Sequence, residues 1–450
     1  MRAMKNSGVD WIEKIPQKWR TSKLKYSGNF SKGLNITKAA LVEEGIPVIS
    51  YGQVHAKTNT GTGINESLIR YVPQDYHDTN KTSSVHLGDF IFADTSEDYE
   101  GIGNCVYVDQ ESEIFAGYHS IIFRPTCIEY PKYMAYQFLT NCWRQQVRQK
   151  ASGVKVFSVT QSILKSAEFL RPSAKEQQSI ADYLDKKCAA INSITTDIQH
   201  QIEILQKYKQ SVITEAVTKG LDKNVEMKDS GVEWLDKVPL NWEINKLKYV
   251  GTFSKGLNIT KANLVEEGIP VISYGQVHAK TNTGTGINES LIRYVPQDYH
   301  DTNKTSSVHL GDFIFADTSE DYEGIGNCVY VDQESEIFAG YHSIIFRPTC
   351  IEYPKYMAYQ FLTNCWRQQI RQKASGVKVF SLTQSILKNA ELLCPTPATQ
   401  QAIADYLDTK CAKIDALIAD KQKQLDTLAE YKKSLIYEYV TGKKEVPVDE

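Results

Sequence analysis

The chain has 450 residues, a net charge of −3, 41% hydrophobic and 23% charged residues. Its length allows three or four domains, and its charge rules out a generally sticky polycation, so any nucleic-acid binding must use locally concentrated cations. Nine scattered cysteines with no C-x-x-C pair indicate neither a disulfide framework nor a zinc module, but reduced thiols in a cytoplasmic protein, and no apolar run suits a membrane span or a secretory leader.

Along the chain the text repeats. "SKGLNITKA" begins at Ser31 and again at Ser254, an offset of 223 (254 − 31). Residues 31–165 match 254–388 except at Ala40/Asn263, Val147/Ile370 and Val159/Leu382. The same offset aligns "SGVDWIEKIPQKW" at Ser7 with "SGVEWLDKVPLNW" at Ser230, and "IADYLDKKCAAI" at Ile180 with "IADYLDTKCAKI" at Ile403. One unit is written twice.

Within a copy, "GIPVISY", "GDFIFAD", "NCVYVD" and "EIFAGYHSIIFRP" have the β-branched and aromatic character of strands, broken by Gly, Asn, Asp and Pro. The segment from Pro131 to Ala151 starts with proline and spaces its apolar residues as one helix does. This part reads as an α+β domain. The next part is poor in Gly and Pro and patterned in sevens. Leu184, Ile191, Ile198, Leu205 and Val212 form one seam, with Ile194 and Tyr208 on the complementary one. In the second copy the register runs Leu407, Ile414, Lys421, Leu428, Leu435, with Leu417 and Tyr431 alongside. Such heptads predict long helices pairing as a coiled coil, each about 60 Å long. Lys421 either fixes register on the seam or snorkels to water. Antiparallel pairing would place the two globular domains at opposite ends about an approximate two-fold axis, a geometry that suits duplex DNA with an inverted repeat.

No catalytic signature survives inspection: there is no G-x-x-x-x-G-K-[ST], no H-E-x-x-H and no G-x-S-x-G, and "GTGINE" from Gly61 lacks the third glycine of a dinucleotide loop. The Asn-Pro-Pro-aromatic motif of amino-methyltransferases is missing too. A non-catalytic protein is expected, with no metal site.

From Pro131 to Ala167 there is no Asp or Glu, while Lys132, Arg144, Arg148, Lys150, Lys155 and Lys165 carry positive charge. Their twins are Lys355, Arg367, Arg371, Lys373, Lys378 and Lys388. This stretch is a candidate phosphate contact, against the plainer reading of a solvated helix face. Base reading needs donors and acceptors on loops that can enter a groove. Lys32, Asn35, Lys38, Tyr51, Gln53, His55, Thr95, Ser96, Tyr99, Tyr118 and His119 meet that need. So do Lys255, Asn258, Lys261, Tyr274, Gln276, His278, Thr318, Ser319, Tyr322, Tyr341 and His342. Gly- and Thr-rich loops also serve simply as turns.

The order of α+β domain and long helix, twice over, joins the phrases "SGVDWIEKIPQKWRTSKLKY" and "SGVEWLDKVPLNWEINKLKYVG" before the domains with "PSAKEQQSIADYLDKK" and "PTPATQQAIADYLDTK" before the helices. Together these resemble the specificity (S) subunit of Type I restriction-modification systems. The resemblance implies an α+β fold with two near-identical target recognition domains alternating with two long helices paired as an antiparallel coiled coil, pseudo-two-fold symmetric. Residues 1–173 and 223–396 would hold the recognition domains; 174–222 and 397–450 would be conserved spacers. It further implies double-stranded DNA as ligand, two modification subunits docked on the helices, restriction (motor-nuclease) subunits, and no membrane. No cofactor is expected in this chain; S-adenosylmethionine, ATP and Mg would sit on the partners. Near-identity of the two domains departs from the usual pattern of the family and implies an interrupted palindrome as target, with Ala40/Asn263 the only difference that could alter readout. The competing reading is a coiled-coil protein–protein scaffold carrying two identical adaptor domains.

Overall fold

The computed structural model describes residues 2–76, 81–111, 113–299, 304–334 and 336–447. The chain divides into two compact units: residues 1–198 with 423–450, and residues 199–422. The division falls within both long helices, Ala174–Lys219 and Pro397–Val440. Each unit therefore combines one globular head with a segment from each helix.

In the first unit the head opens with a hairpin, β1 (Met4–Val9) and β2 (Ile12–Pro16). β3 (Arg20–Lys23) pairs antiparallel with β14 (Glu168–Arg171), tying the head's beginning to its end. Two four-stranded sheets lie between. One has the order β10-β8-β12-β4, from Cys105–Tyr107, Phe90–Ala93, Ser120–Pro125 and Gly28–Lys32. The other has the order β6-β5-β11-β7, from Arg70–Val72, Ile46–Ile49, Ile114–Ala116 and Ser84–Val85. Its pair β5 and β11 is parallel, which the long connection between them allows. β8 explains the apolar run "FIFA": all four residues are buried. Alternate side chains serve two cores, Phe90 and Phe92 joining Phe138 and Trp143, while Ile91 and Ala93 join Ile49, Val54 and Ile114.

The segment expected as one helix is two, α2 (Pro131–Phe138) and α3 (Asn141–Arg148), after the single-turn α1 (Tyr51–Val54). Thr140 breaks it: its hydroxyl accepts the Trp143 N–H and caps α3. The turn folds Trp143 back on Phe138 at 4.3 Å between ring centroids. Packing of aromatic rings outweighs the continuous helical pattern. A further helix, α4 (Gln161–Ser166), precedes β14.

The phrase "PSAKEQQ" has a physical reading. Ser173 and Glu176 close a capping box, the Ser173 hydroxyl accepting the Glu176 N–H while Glu176 Oε2 accepts the Ser173 N–H at 3.2 Å. Gln177, buried, donates to the Pro172 carbonyl at 3.0 Å. In "PTPATQQ" Thr396 accepts the Thr399 N–H, and Gln400 donates to the Pro395 carbonyl.

Helix pairing is antiparallel in each unit. In the first, Lys432 Nζ donates to Asn192 Oδ1 at 2.7 Å, and the rings of Tyr183 and Tyr439 lie 4.6 Å apart. In the second, Lys209 Nζ contacts both carboxylate oxygens of Asp415 at 2.7 Å, and Lys421 donates to Gln201. Lys421 is thus a hydrogen-bonding member of the seam. The expected principal seam is correct, but its complement is displaced by one residue. Ile194, Tyr208, Leu417 and Tyr431 are exposed. The shielded positions are Leu184, Cys188, Ile191, Thr195, Ile198, Ile202, Leu205, Lys209, Val212 and Ala216, spaced alternately by four and three. Leu407, Cys411, Ile414, Ile418, Lys421, Leu425, Leu428, Lys432, Leu435 and Tyr439 repeat the spacing. The true second stripe carries Thr195, Lys209 and Lys432, so apolarity alone points to the wrong neighbours.

All nine cysteines are free, with Cys105, Cys188, Cys328 and Cys411 buried. No helix among the described residues is long and apolar enough to cross a membrane.

Lys209 and Lys432 hold seam positions that a leucine would fill. Replacing both with leucine is expected to raise stability by on the order of 1 kcal/mol per site, read as a higher melting temperature followed by circular dichroism at 222 nm. Ile198→Asp is expected to lower it, because a carboxylate would be buried without a partner.

Candidate nucleic-acid interface

The ends of β4, β5, β8 and β11 bring four loops to one edge of each head. Two glycines make this possible. A Cβ on Gly33 would lie 2.0 Å from the Gly117 carbonyl oxygen, and one on Gly117 would lie 2.0 Å from Ser50 Oγ. Only glycine permits that approach. Main-chain bonds then fix the loops to one another: Tyr51 N–H to the Tyr118 carbonyl at 3.2 Å, Asp94 N–H to the His119 carbonyl at 3.1 Å, and Gly33 N–H to the Ser120 carbonyl at 3.1 Å.

At the centre stands His119, with φ of 52°, left-handed for a residue with a Cβ. Its imidazole is 58% exposed. Nδ1 lies 3.1 Å from Asp94 Oδ1, which also accepts the Thr95 hydroxyl at 2.7 Å. With Nδ1–H donating to the carboxylate, Nε2 faces outward, an acceptor in the neutral ring and a donor when protonated. Tyr51 packs edge-on against both Tyr118 and His119, each at 5.5 Å. Burial, with Tyr51 adding to it, pushes the Tyr118 hydroxyl up, so it stays protonated. Lys32, which ends β4, and Asn35 and Lys38 beyond it are exposed. These groups offer donors, acceptors and flat rings in one place, as base edges demand.

Other candidates hold the platform together. His55 is consumed at both nitrogens: Nε2 donates to the Thr95 carbonyl at 2.8 Å and Nδ1 accepts from Asn104 at 3.2 Å. Gln53 Oε1 accepts the Ser50 N–H. Ser96 is buried and donates to the Asp98 carbonyl at 2.7 Å. Tyr99 is exposed, with Phe157 against its edge and the Arg148 guanidinium over its face at 5.5 Å.

In the acid-free stretch the two helical arginines turn inward. Arg144 Nε donates to the Phe138 carbonyl. Arg148, 7% exposed, donates to Asn141 and to both the carbonyl and the carboxylate of Glu100. Both arginines turn inward because α3 packs its other face on the aromatic core. Lys132 pairs with Asp185 at 2.7 Å. Lys150 and Lys155 remain exposed, Lys150 donating to Ser166 Oγ.

The second unit repeats this geometry. His342 has φ of 53° and lies 3.1 Å from Asp317. Tyr274 meets Tyr341 at 5.5 Å and His342 at 5.6 Å. Thr318 donates to Asp317. His278 is held by the Thr318 carbonyl and Asn327, Gln276 by Ser273, and Ser319 by the Asp321 carbonyl. Arg367 turns to the Phe361 carbonyl and Arg371 to Asn364 and Glu323, beneath Tyr322. Lys255, Asn258, Lys261, Lys373 and Lys378 are exposed.

Asn263, the one loop difference, turns its amide oxygen back on its own loop. Its Oδ1 accepts the Thr260 N–H at 2.8 Å and the Thr260 hydroxyl at 3.0 Å. Val147/Ile370 and Val159/Leu382 are buried core positions. Sequence inspection passed over Asp94 and Asn104. The signal for Asp94 was its place beside Thr95, a short acid at the end of an apolar strand.

Two matching heads, each gathering polar and aromatic loops at one sheet edge and each joined to a coiled-coil segment, define a two-headed nucleic-acid reader. Its sequence matches the family of the Type I restriction modification DNA specificity domain over residues 16–204 and again over 239–427, and the chain belongs to that family. It is 23% identical over 301 residues to the Type I restriction enzyme MjaVIII specificity subunit of Methanocaldococcus jannaschii, covering 66% of this chain and 67% of that one. To the putative type I restriction enzyme MjaX specificity subunit of the same organism it is 21% identical over 440 residues, 96% of this chain and 95% of that one. A solved chain from work on complex assembly and conformational transition of the type I R-M system shares the fold, with a TM-score of 0.69 at 14% identity, covering 96% of this chain and all of that one. The two heads are target recognition domains of a type I restriction-modification specificity subunit. The relatives lend no support to the scaffold reading.

His119→Asn with His342→Asn is expected to keep the fold, since asparagine tolerates the left-handed region, and to weaken specific DNA binding through loss of the outward Nε2. His119→Val with His342→Val is expected to cost about 1–2 kcal/mol per head, read as a lowered melting temperature. Arg148→Met is expected to speed amide hydrogen exchange across residues 97–101, whose carbonyl anchor at Glu100 it removes; unchanged exchange would show that Tyr99 suffices.

Proposed function

We propose that this chain reads an interrupted palindrome, each head contacting the same half-site on opposite strands. The observation that carries this is the sameness of the two reading edges. The only difference near them, Ala40/Asn263, is spent on a cap at Thr260.

The chain itself is non-catalytic in this reading and works in the cytoplasm. Two modification subunits bring S-adenosylmethionine and methylate adenine, and restriction subunits bring ATP and Mg for cleavage of unmodified DNA. The helices supply the docking surface. Ile194 and Tyr431, at one level of the helix pair in the first unit, are exposed, as are Tyr208 and Leu417 in the second. Apolar side chains left outside a closed seam support attachment of a protein partner there.

Single-molecule methylome sequencing of DNA from cells expressing this chain with its modification subunit tests the reading. The expected result is one short half-site, inverted across a gap, with methylated adenine on both strands. Asn263→Ala is expected to leave that motif unchanged. An asymmetric bipartite motif would overturn the equivalence of the heads while leaving the family intact.

A further inference from the structure

The feature of each head that the reading edge does not use is the turn after α3. Val154 is 93% exposed at its tip and Val156 is 52% exposed, with Lys155 between them. In the second head Val377 and Val379 are 93% and 53% exposed, around Lys378. Isolated exposed valines are ordinary on protein surfaces. These are displayed by a backbone built to hold them. Gly153 has φ of +136°, and a Cβ there would lie 1.9 Å from the Val156 carbonyl oxygen. Ser158 N–H bonds the Ser152 carbonyl at 2.7 Å across the base of the turn.

That base is tied to the reading edge. β13 (Phe157–Ser158) pairs antiparallel with β9 (Thr95–Ser96), placing Ser158 opposite Thr95 and Phe157 opposite Ser96. The next residue, Val159, donates its N–H to the Asp94 carbonyl at 2.7 Å. Asp94 and Thr95 are the residues that hold His119. The turn and the imidazole are therefore parts of one framework, joined through Asp94 and Thr95.

We infer that Val154 and Val377 recognise the 5-methyl group of a thymine in each half-site, with Lys155 and Lys378 on the adjoining phosphates. This rests on the DNA-reading role of the heads. Lys155 is exposed between the two valines, so a cation able to meet a phosphate stands at the turn itself. Chemistry narrows the partner further. Base edges in the major groove are polar except for one group, the thymine methyl, and a short aliphatic side chain is its natural contact. Wedges that part base steps are usually longer, such as Phe, Leu or Met.

The test uses the full chain with its modification subunits and a duplex carrying its methylated motif. Each thymine of the half-sites is replaced in turn by uracil, which lacks only the methyl. One replacement in each half-site is expected to weaken wild-type binding about fourfold, the worth of one buried methyl-sized group. Val154→Ala with Val377→Ala, at exposed positions that do not threaten folding, is expected to bind the thymine duplex as weakly as the wild type binds a duplex with that thymine replaced in both half-sites, about sixteenfold for two methyl-sized groups, and to lose nothing more on replacement. Indifference of the wild type to every replacement, or undiminished sensitivity in the variant, would overturn the inference. Loss of the modification subunits from the variant complex would also overturn it, by making the turn a protein contact. If the wild type shows no salt-sensitive, motif-dependent binding at all, the DNA-reading role itself falls.

Discussion

The contact of Gly33 with Gly117, and of Gly117 with Ser50, is the constraint on which each head depends. It lets three chain segments approach more closely than any side chain would allow. Because of it the loops are fastened by main-chain bonds, and the side chains are left free for other work. The left-handed His119 follows from the same crowding. Its backbone must turn within two residues of Gly117 to enter β12, and the Asp94 bond and the Tyr51 ring hold the outcome in place. Strain at such a point is retained where a side chain has to be aimed.

Two kinds of polar residue occupy this edge, and they differ by where their hydrogen bonds end. His55, Gln53, Ser96, Arg144 and Arg148 spend their polar groups on hydrogen bonds within their own head. Lys32, Asn35, Lys38 and the outer nitrogen of His119 remain available to a ligand. The first group makes the second rigid. A rigid edge loses little freedom on binding, which is the ordinary route from modest contact area to useful affinity.

Much of this was legible in the sequence. The duplicated text gave away the two heads, and the heptads the principal helix seam. "FIFA" and its neighbours read as strands because β-branched and aromatic residues pack well on pleated surfaces. What escaped was anything decided by a contact distant in sequence. The helix expected from Pro131 to Ala151 breaks at Thr140 because Trp143 folds back on Phe138. The inward turn of Arg148 depends on Glu100, and the alignment of a cation-rich stretch says nothing about such partners. The second stripe of the coiled coil was misplaced for a different reason: its occupants include Thr195, Lys209 and Lys432, which hydrophobic periodicity discounts.

Lys209 and Lys432 hold equivalent places in the repeat, yet one meets a carboxylate and the other an amide. An ion pair is weakened by dissolved salt, whereas a bond from lysine to a neutral amide carbonyl responds much less. Ionic strength therefore acts unequally on the two helix pairings, loosening the one around Asp415 before the one around Asn192. The heads are twins, but their supports differ in how they answer to the solution.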